Sequence, residues 1–450
     1  MSTTPNPGNY SNAYLRYVLV IAFLVIAVSL MDRYIVSILL EQIGTDLGLS
    51  DTQLGLLVGP AFVVVHILCQ FPLARYADRS SRRTLIGWAI ALWSLFTMAG
   101  GFARNFAQLF IARMGVGITE AASSPALASL LSDYFPPHKR GLAMSMLSIG
   151  GVAGIGAGML LGGFAGQAWG WRTALIVAGI PGLLLALLVW FTIAEPLRGG
   201  NDGPTPATGQ RGTRETLGYL WGNRTYCWII AGASLSMVAG IGRGAWEPVF
   251  LIRVYGMEQA TAGMVYFLIS PLPGMLGALL GGMLVDRLSK RDIRWNLWLP
   301  TAALMSSLPL LAGFLLWPQD DMLWGTLLPV GLACSIVASL LGGAVSPPLI
   351  ATSQSLVDAS TRATAHAMWT IVGNLVGMGL GPVAAGWLSE YYAPSYGAES
   401  IRYALLIVSL AVVPAGLALY MGSRHIVADF DRRNAETQST TTVPENSTTT

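Results

Sequence analysis

FAQLFIARMGVGITEAASSPALASLLSDY, residues 106–134, is long and apolar enough to cross a membrane as a helix, yet it carries Arg113 and Glu120. The two are seven residues apart, so they lie two turns apart on nearly one face, about 10.5 Å along the axis. A charge at the bilayer centre costs about 2.5–3.5 kcal/mol on insertion scales. A chain keeps such groups where they face a polar interior, and there Glu120 can also take up a proton. Asp32 and Arg33 interrupt a second apolar run, Tyr17 to Leu40, in the same way. Two acids and two arginines in the first half point to a proton-handling cavity.

The rest of the composition agrees. Of 450 residues 53% are hydrophobic and 11% charged, against about 25% charged in soluble domains, so the chain reads as a polytopic membrane protein. Its net charge of +3 gives no reason to expect nucleic acid. Cys69, Cys227 and Cys334 lie in apolar segments and read as packing residues. Four scattered histidines offer no metal-ligand spacing, and His66, mid-span, reads as a satisfied core residue. No metal or cofactor is expected. A Walker-type nucleotide loop and a nucleophile motif are also missing, which argues against ATP-driven transport and against an enzyme. The first apolar segment is long and keeps Asp32 and Arg33, unlike a cleavable signal peptide.

A span needs about 20 apolar residues, which predicts twelve, over roughly 15–42, 51–75, 83–103, 106–134, 141–167, 173–195, 224–254, 260–285, 295–317, 322–352, 363–392 and 399–423. One set of loops holds Arg75, Arg79, Arg82, Arg83, Lys139, Arg140, Arg198, Arg211, Arg214, Arg224, Arg287, Lys290, Arg291, Arg294 and Arg362. Arg424, Arg432 and Arg433 join them from the tail. The other set has Arg104, Arg172, Arg253 and Arg402 among Glu41, Asp46, Asp320 and Asp321. Basic loops stay inside, so both termini are predicted to be cytoplasmic, in a bacterial inner (plasma) membrane. The Gly-, Pro- and Thr-rich stretch 196–222 divides an N-terminal unit, 1–195, from a C-terminal one, 223–423. The tail, 424–450, reads as disordered.

The two units repeat each other in parallel. Ser124-Pro125 is followed by Arg140 and Ala143, and Ser346-Pro347, at the same spacing, by Arg362 and Ala365. Asp78-Arg79 with Arg82-Arg83 matches Asp286-Arg287 with Lys290-Arg291, and Arg172 matches Arg402. Duplicated six-helix halves are a mark of alternating-access transporters. The fold class expected is all-α, with twelve transmembrane helices in two pseudo-symmetric six-helix bundles.

Gly282-Met-Leu-Val-Asp286-Arg287 through Arg291 resembles the loop motif of the major facilitator superfamily. Its first copy, Ala74 to Arg83, keeps the charges but has Ala74 and Ser81 where the family usually has glycine. Gly154-Ile-Gly-Ala-Gly158 and Gly377-Met-Gly-Leu-Gly381-Pro382 resemble the family's glycine-rich motif in spans five and eleven. Met31-Asp32-Arg33-Tyr34, Arg79 to Arg83, and Arg113-Met-Gly-Val-Gly117-Ile-Thr-Glu120 are similar to the spinster branch, whose members carry lysophospholipids or sphingolipid phosphates. That resemblance implies a proton-coupled carrier of a lipid or amphiphile. Organic-anion members share part of the pattern.

The roles follow from charge and position. Asp32 and Glu120 are the candidate proton acceptors. Burial and a nearby arginine pull a carboxyl's proton affinity in opposite directions, so a pair with Arg113 can titrate as the cavity opens and closes; a static ion pair is the plainer alternative. Arg33 and Arg113 either bind an anionic headgroup through their bidentate donors or only neutralise the acids. Span seven adds Arg243 and Glu247, one turn apart and expected to pair. Trp246, Met368, Trp369 and Asn374 offer a greasy wall with few polar anchors, although plain helix packing is the better reading of any one aromatic. Asp78, Arg79, Arg82 and Arg83 read as a latch that steadies the outward-facing state, because topology alone has no use for the repeated acid. The latch extends to Arg140, Asp286, Arg287, Arg291 and Arg362. Together these predict a monomeric, proton-coupled carrier of an amphiphilic or anionic solute, in contact with membrane lipids. An organic-acid or drug carrier is the alternative, and a transport-inactive sensor or scaffold the rival from another class.

Overall fold

The computed structural model describes residues 10–77, 79–197, 213–323, 328–357 and 361–441. Asp78 and most of the linker, 198–212, lie outside the described residues. Among the described residues twelve helical crossings follow one another. Span one is Asn12–Leu47, span two Asp51–Val58 with Pro60–Ala77, and span three Arg82–Gly100. Span four is Phe106–Glu120 with Ser123–Tyr134, and spans five and six share one element, Pro137–Thr192. Span seven is Arg224–Arg253, span eight Gln259–Ile269 with Pro271–Leu288, and span nine Trp295–Leu316. Span ten is Val330–Gly343 with Ser346–Ser355, span eleven Arg362–Tyr396, and span twelve Ser400–Ser409 with Val412–Ser423.

Local chemistry sets several boundaries. Ser11, Ser81, Asn105 and Asn223 cap spans one, three, four and seven, each side chain accepting from a backbone N–H of the first turn. Ser50 and Gln53 form a reciprocal capping box at span two. Spans five and six are separated by a single non-helical residue, Gly170 (φ 80°, ψ 163°), a conformation open to glycine at little cost. The sequence suggests a longer loop there.

The tail departs from expectation: Ile426–Thr441 is a helix. Ile426 is fully buried. Asp429 accepts a hydrogen bond from the Thr225 N–H (2.9 Å), and Arg433 donates to the Ser355 carbonyl (2.5 Å). The anchors lie on other spans, so low complexity further along the tail hides them.

The glycine-rich motifs place helix on helix. A Cβ at Gly154 would come within 2.2 Å of the Ala27 carbonyl oxygen, and one at Gly158 within 2.7 Å of that of Met31. Span five therefore lies directly on the backbone of span one. In the second bundle Gly377 and Gly381 press in the same way against Met237 and Val238 of span seven, so the pseudo-symmetry extends to the packing. Gly154→Val should force spans one and five apart and cost about 1–3 kcal/mol, read as a lower melting temperature in detergent. Gly141→Ala, where a new Cβ meets nothing within 4 Å, should leave the melt unchanged or slightly raised.

Among the described residues, the hydrogen bonds and ion pairs that join the two bundles gather at the end opposite the basic loops. There the Arg253 guanidinium takes Glu41 at 2.6 Å and Asp51 through two bonds of 2.7 and 2.8 Å. Ser389 also donates to Asp51 (2.6 Å), Thr52 donates to Glu390 (2.5 Å) and Gln259 to the Ile38 carbonyl (3.0 Å).

Candidate functional site

A cavity of about 400 Å³ lies between the bundles. Span one contributes Arg33, Tyr34 and Ser37, span seven Gly240 and Gly244, span eight Tyr266 and Ser270, and span eleven Asn374 and Met378. Consecutive helical residues point about 100° apart. Arg33 can therefore face the cavity while its neighbour Asp32, 0% exposed, turns inward to span three.

The charge cluster forms around that divergence. Arg33 Nη2 donates to Glu120 Oε1 at 2.5 Å, and Ser29 Oγ donates to the same oxygen at 2.5 Å. Thr97 Oγ1 donates to Asp32 Oδ2 at 3.0 Å, and Arg113 Nη1 to the Asp32 carbonyl at 3.3 Å. Both guanidiniums lie over the Phe62 ring, at 4.4 Å for Arg33 and 5.9 Å for Arg113, a favourable arrangement in a desolvated site. Asp32 Oδ1, Glu120 Oε2, and Arg113 Nε and Nη2 are buried and make no hydrogen bond to a described residue. The cluster combines two acids and two arginines, with one unpaired oxygen on each acid.

The pairing differs from the sequence expectation. Glu120 takes Arg33 of span one rather than Arg113 of its own helix. Arg113 instead reaches across to the Asp32 carbonyl, and the Arg33 side chain extends from span one to Glu120. Ser29, Thr97 and Phe62 escaped the sequence reading. Ser29 lies one turn before Arg33 and could have been found from that spacing. Thr97 and Phe62 carry no such signal, because their partners are on other spans.

In the second bundle Arg243 and Glu247 pair as expected, at 3.1 Å, and Ser335 donates to Glu247 at 3.2 Å. Asn374 lines the cavity. The two tryptophans do not: Trp246 is fully buried and donates to the Pro382 carbonyl (2.9 Å), and Trp369 packs in the core of the second bundle beside His366. They pack helices rather than wall the cavity. His66 meets the Gly117 carbonyl at 3.2 Å and stacks on Phe62.

The basic-loop residues are placed as follows. Arg82, 3% exposed, binds Asp133 (2.5 Å), Glu195 (2.9 Å) and the Ser129 and Pro196 carbonyls. Arg83 reaches the Ile193 carbonyl (3.4 Å), and Arg140 the Ser132 and Phe135 carbonyls. These bonds tie spans of one bundle together rather than joining the two. Arg79, Asp286, Arg287 and Arg291 are exposed, Arg362 opens span eleven, and Asp78 lies outside the described residues.

Residues 22–377 match the family model of the Major Facilitator Superfamily. An MFS-type efflux pump of Mycolicibacterium smegmatis is 32% identical over 393 residues, covering 87% of this chain and 88% of that protein. Protein spinster homolog 3 of Danio rerio is 26% identical over 442 residues, covering 92% and 86%. The crystal structure of a bacterial homolog of the human lysosomal transporter Spinster, inward-facing and unoccupied, superposes with a TM-score of 0.85 at 25% identity, covering 93% of this chain and 99% of that one.

Proposed function

Because the chain belongs to the Major Facilitator Superfamily, we propose that this integral membrane transporter is a proton-coupled carrier of an anionic or amphiphilic, lipid-like solute. It works by alternating access, as a monomer in a bacterial inner membrane. The basic loops and both termini face the cytoplasm, so the end where the bundles are bonded together is external and closed, and the cavity faces inward. The observation that carries this reading is the buried cluster of Asp32, Arg33, Arg113 and Glu120 in the wall of the inter-bundle cavity.

A sensor or scaffold has no use for such costly intramembrane charge, whereas a proton-driven carrier does. A proton falling through 100 mV releases about 2.3 kcal/mol, enough for about fiftyfold accumulation. Glu120 Oε2 is free to receive that proton. Once it is neutral, the hold on Arg33 weakens and span one can shift against span four. Arg33 is then chiefly the counter-ion of Glu120, and the solute's charge needs an anchor elsewhere. The similarity to a spinster homolog favours a lipid-like solute, and that to an efflux pump a drug-like one.

The test is uptake or release in proteoliposomes under an imposed pH gradient, with lysophospholipids, sphingoid phosphates and small organic acids. Gradient-driven movement of a lipid that falls to background in Asp32→Asn and Glu120→Gln is the expected result. Movement of small acids alone would favour the organic-acid reading, and unchanged coupling in Glu120→Gln would defeat the proton assignment.

A further inference from the structure

A second cavity, about 330 Å³, runs from the partition at Gly240, Ile241 and Ser270, which line both cavities, into the second bundle as far as Leu304 and Ser307 of span nine. Its walls are largely apolar. Arg243 is the charged side chain that lines it, and Ser339, 6% exposed, lines it with an Oγ that has no hydrogen-bond partner among the described residues. Arg243 is held from behind by Glu247, which is 0% exposed. Arg243 is the charge that faces Glu247. The other groups around it are neutral: the Ser335 hydroxyl of span ten, and Ser270 and the Tyr266 phenol of span eight, with Tyr34 of span one beyond.

We propose that this cavity is an anion site for a monoanionic carboxylate or phosphate ester with an apolar body, and that the anion takes Arg243 from Glu247 in exchange for a proton. A guanidinium offers such a head two parallel N–H donors, and Leu304, Leu311 and Val412 would surround the body. A carboxylate as buried as Glu247 cannot stay charged once its counter-ion turns away. The proton goes to Oε2, the oxygen now bonded to Arg243, while Ser335 keeps its bond to Oε1. Anion and proton therefore arrive together, and the net charge inside the second bundle does not change. The inference rests on the carrier reading above but assigns this proton to a different bundle.

Calorimetric titration of the purified protein with decanoate and with dodecyl methyl phosphate, a diester that stays monoanionic where a phosphate monoester would carry a second charge, in two buffers of different ionisation enthalpy near neutral pH, counts the linked protons. Wild type should take up about one proton per anion bound. Glu247→Gln should bind at least as tightly and take up none, and Arg243→Gln should bind about tenfold more weakly or worse. Arg243→Lys, which keeps the charge without the fork, serves if Arg243→Gln does not fold. Uncharged decanol should bind wild type and Arg243→Gln alike. A linked proton that persists in Glu247→Gln, unchanged binding in Arg243→Gln, or failure of both anions to bind would overturn the proposal. A linked proton that persists in Glu247→Gln but vanishes in Glu120→Gln would do so while leaving the carrier reading intact. Loss of gradient-driven transport in wild type would defeat that reading instead.

Discussion

Arg82→Gln is expected to destabilise the first bundle by about 3–5 kcal/mol, the usual consequence of removing one partner from a buried ion pair. Arg82 opens span three and is 3% exposed. Its guanidinium joins Asp133 at the end of span four, Glu195 beyond the end of span six, and two backbone carbonyls. Glutamine can replace one of these bonds. It leaves the buried Asp133 carboxylate without its guanidinium. Lysine keeps the charge but not the planar fork, so Arg82→Lys should recover part of the loss. Thermal unfolding in detergent reads both, and a wild-type melt in Arg82→Gln would refute the role.

The same junction has a pH signature. Burial alone would raise the Glu195 carboxyl, but the Arg83 backbone N–H, the Arg82 guanidinium and the Ser81 hydroxyl outweigh it, and the group is held below its ordinary value of 4.5. A depressed carboxyl stabilises the folded state above its unfolded pKa, and that contribution fades as pH falls through the folded value. That contribution should be constant from neutral pH down to about 5 and give the melt an acid limb below about 4.5. Glu195→Gln should flatten that acid limb.

Arg253→Gln is expected to shift the carrier out of its closed-at-one-end state by about ten- to hundredfold in population. The estimate follows from losing charged hydrogen bonds worth about 1.5–3 kcal/mol. Arg253, at the last residue of span seven, binds Glu41 and Asp51 of the other bundle, and Asp51 is further held by Ser389. Under the proposed alternating access these bonds exist only while the bundles touch at that end, so their loss raises the energy of this conformation and spares the other. Asp51→Asn should act in the same direction and less strongly, because the amide still accepts one bond. Spin labels at exposed Thr45 and Ser395 report one end, and labels at exposed Ser145 and Arg291 the other. The first distance should gain a longer population in the variants and the second a shorter one. Identical distributions in wild type and variant would show that the helix contacts alone hold the state.

The feature most legible in the sequence was the charge trapped in apolar runs. Asp32, Arg33, Arg113 and Glu120 announced a polar interior because each would be too costly in lipid, and all four lie at or behind the wall of the inter-bundle cavity. The i,i+4 pair of Arg243 and Glu247 was legible for the same reason of helical geometry. Partners drawn from different spans were not. Nothing in the order of residues couples Thr97 to Asp32, Asp133 to Arg82 or Asp51 to Arg253, since each pair is set by how two helices cross.

By itself the sequence determined twelve apolar crossings, their division into two related bundles, and the buried charge that a carrier would use. Hydrophobic length, charge placement and repeated motifs are local quantities that every such fold must satisfy. The tertiary structure alone decided that Glu120 takes Arg33 rather than Arg113, that Trp246 and Trp369 pack helices rather than wall the cavity, that Ile426–Thr441 docks as a helix, and at which end the two bundles bond to each other. The physical reason is that the rotation and crossing of the helices choose among several chemically acceptable partners, and local sequence carries neither.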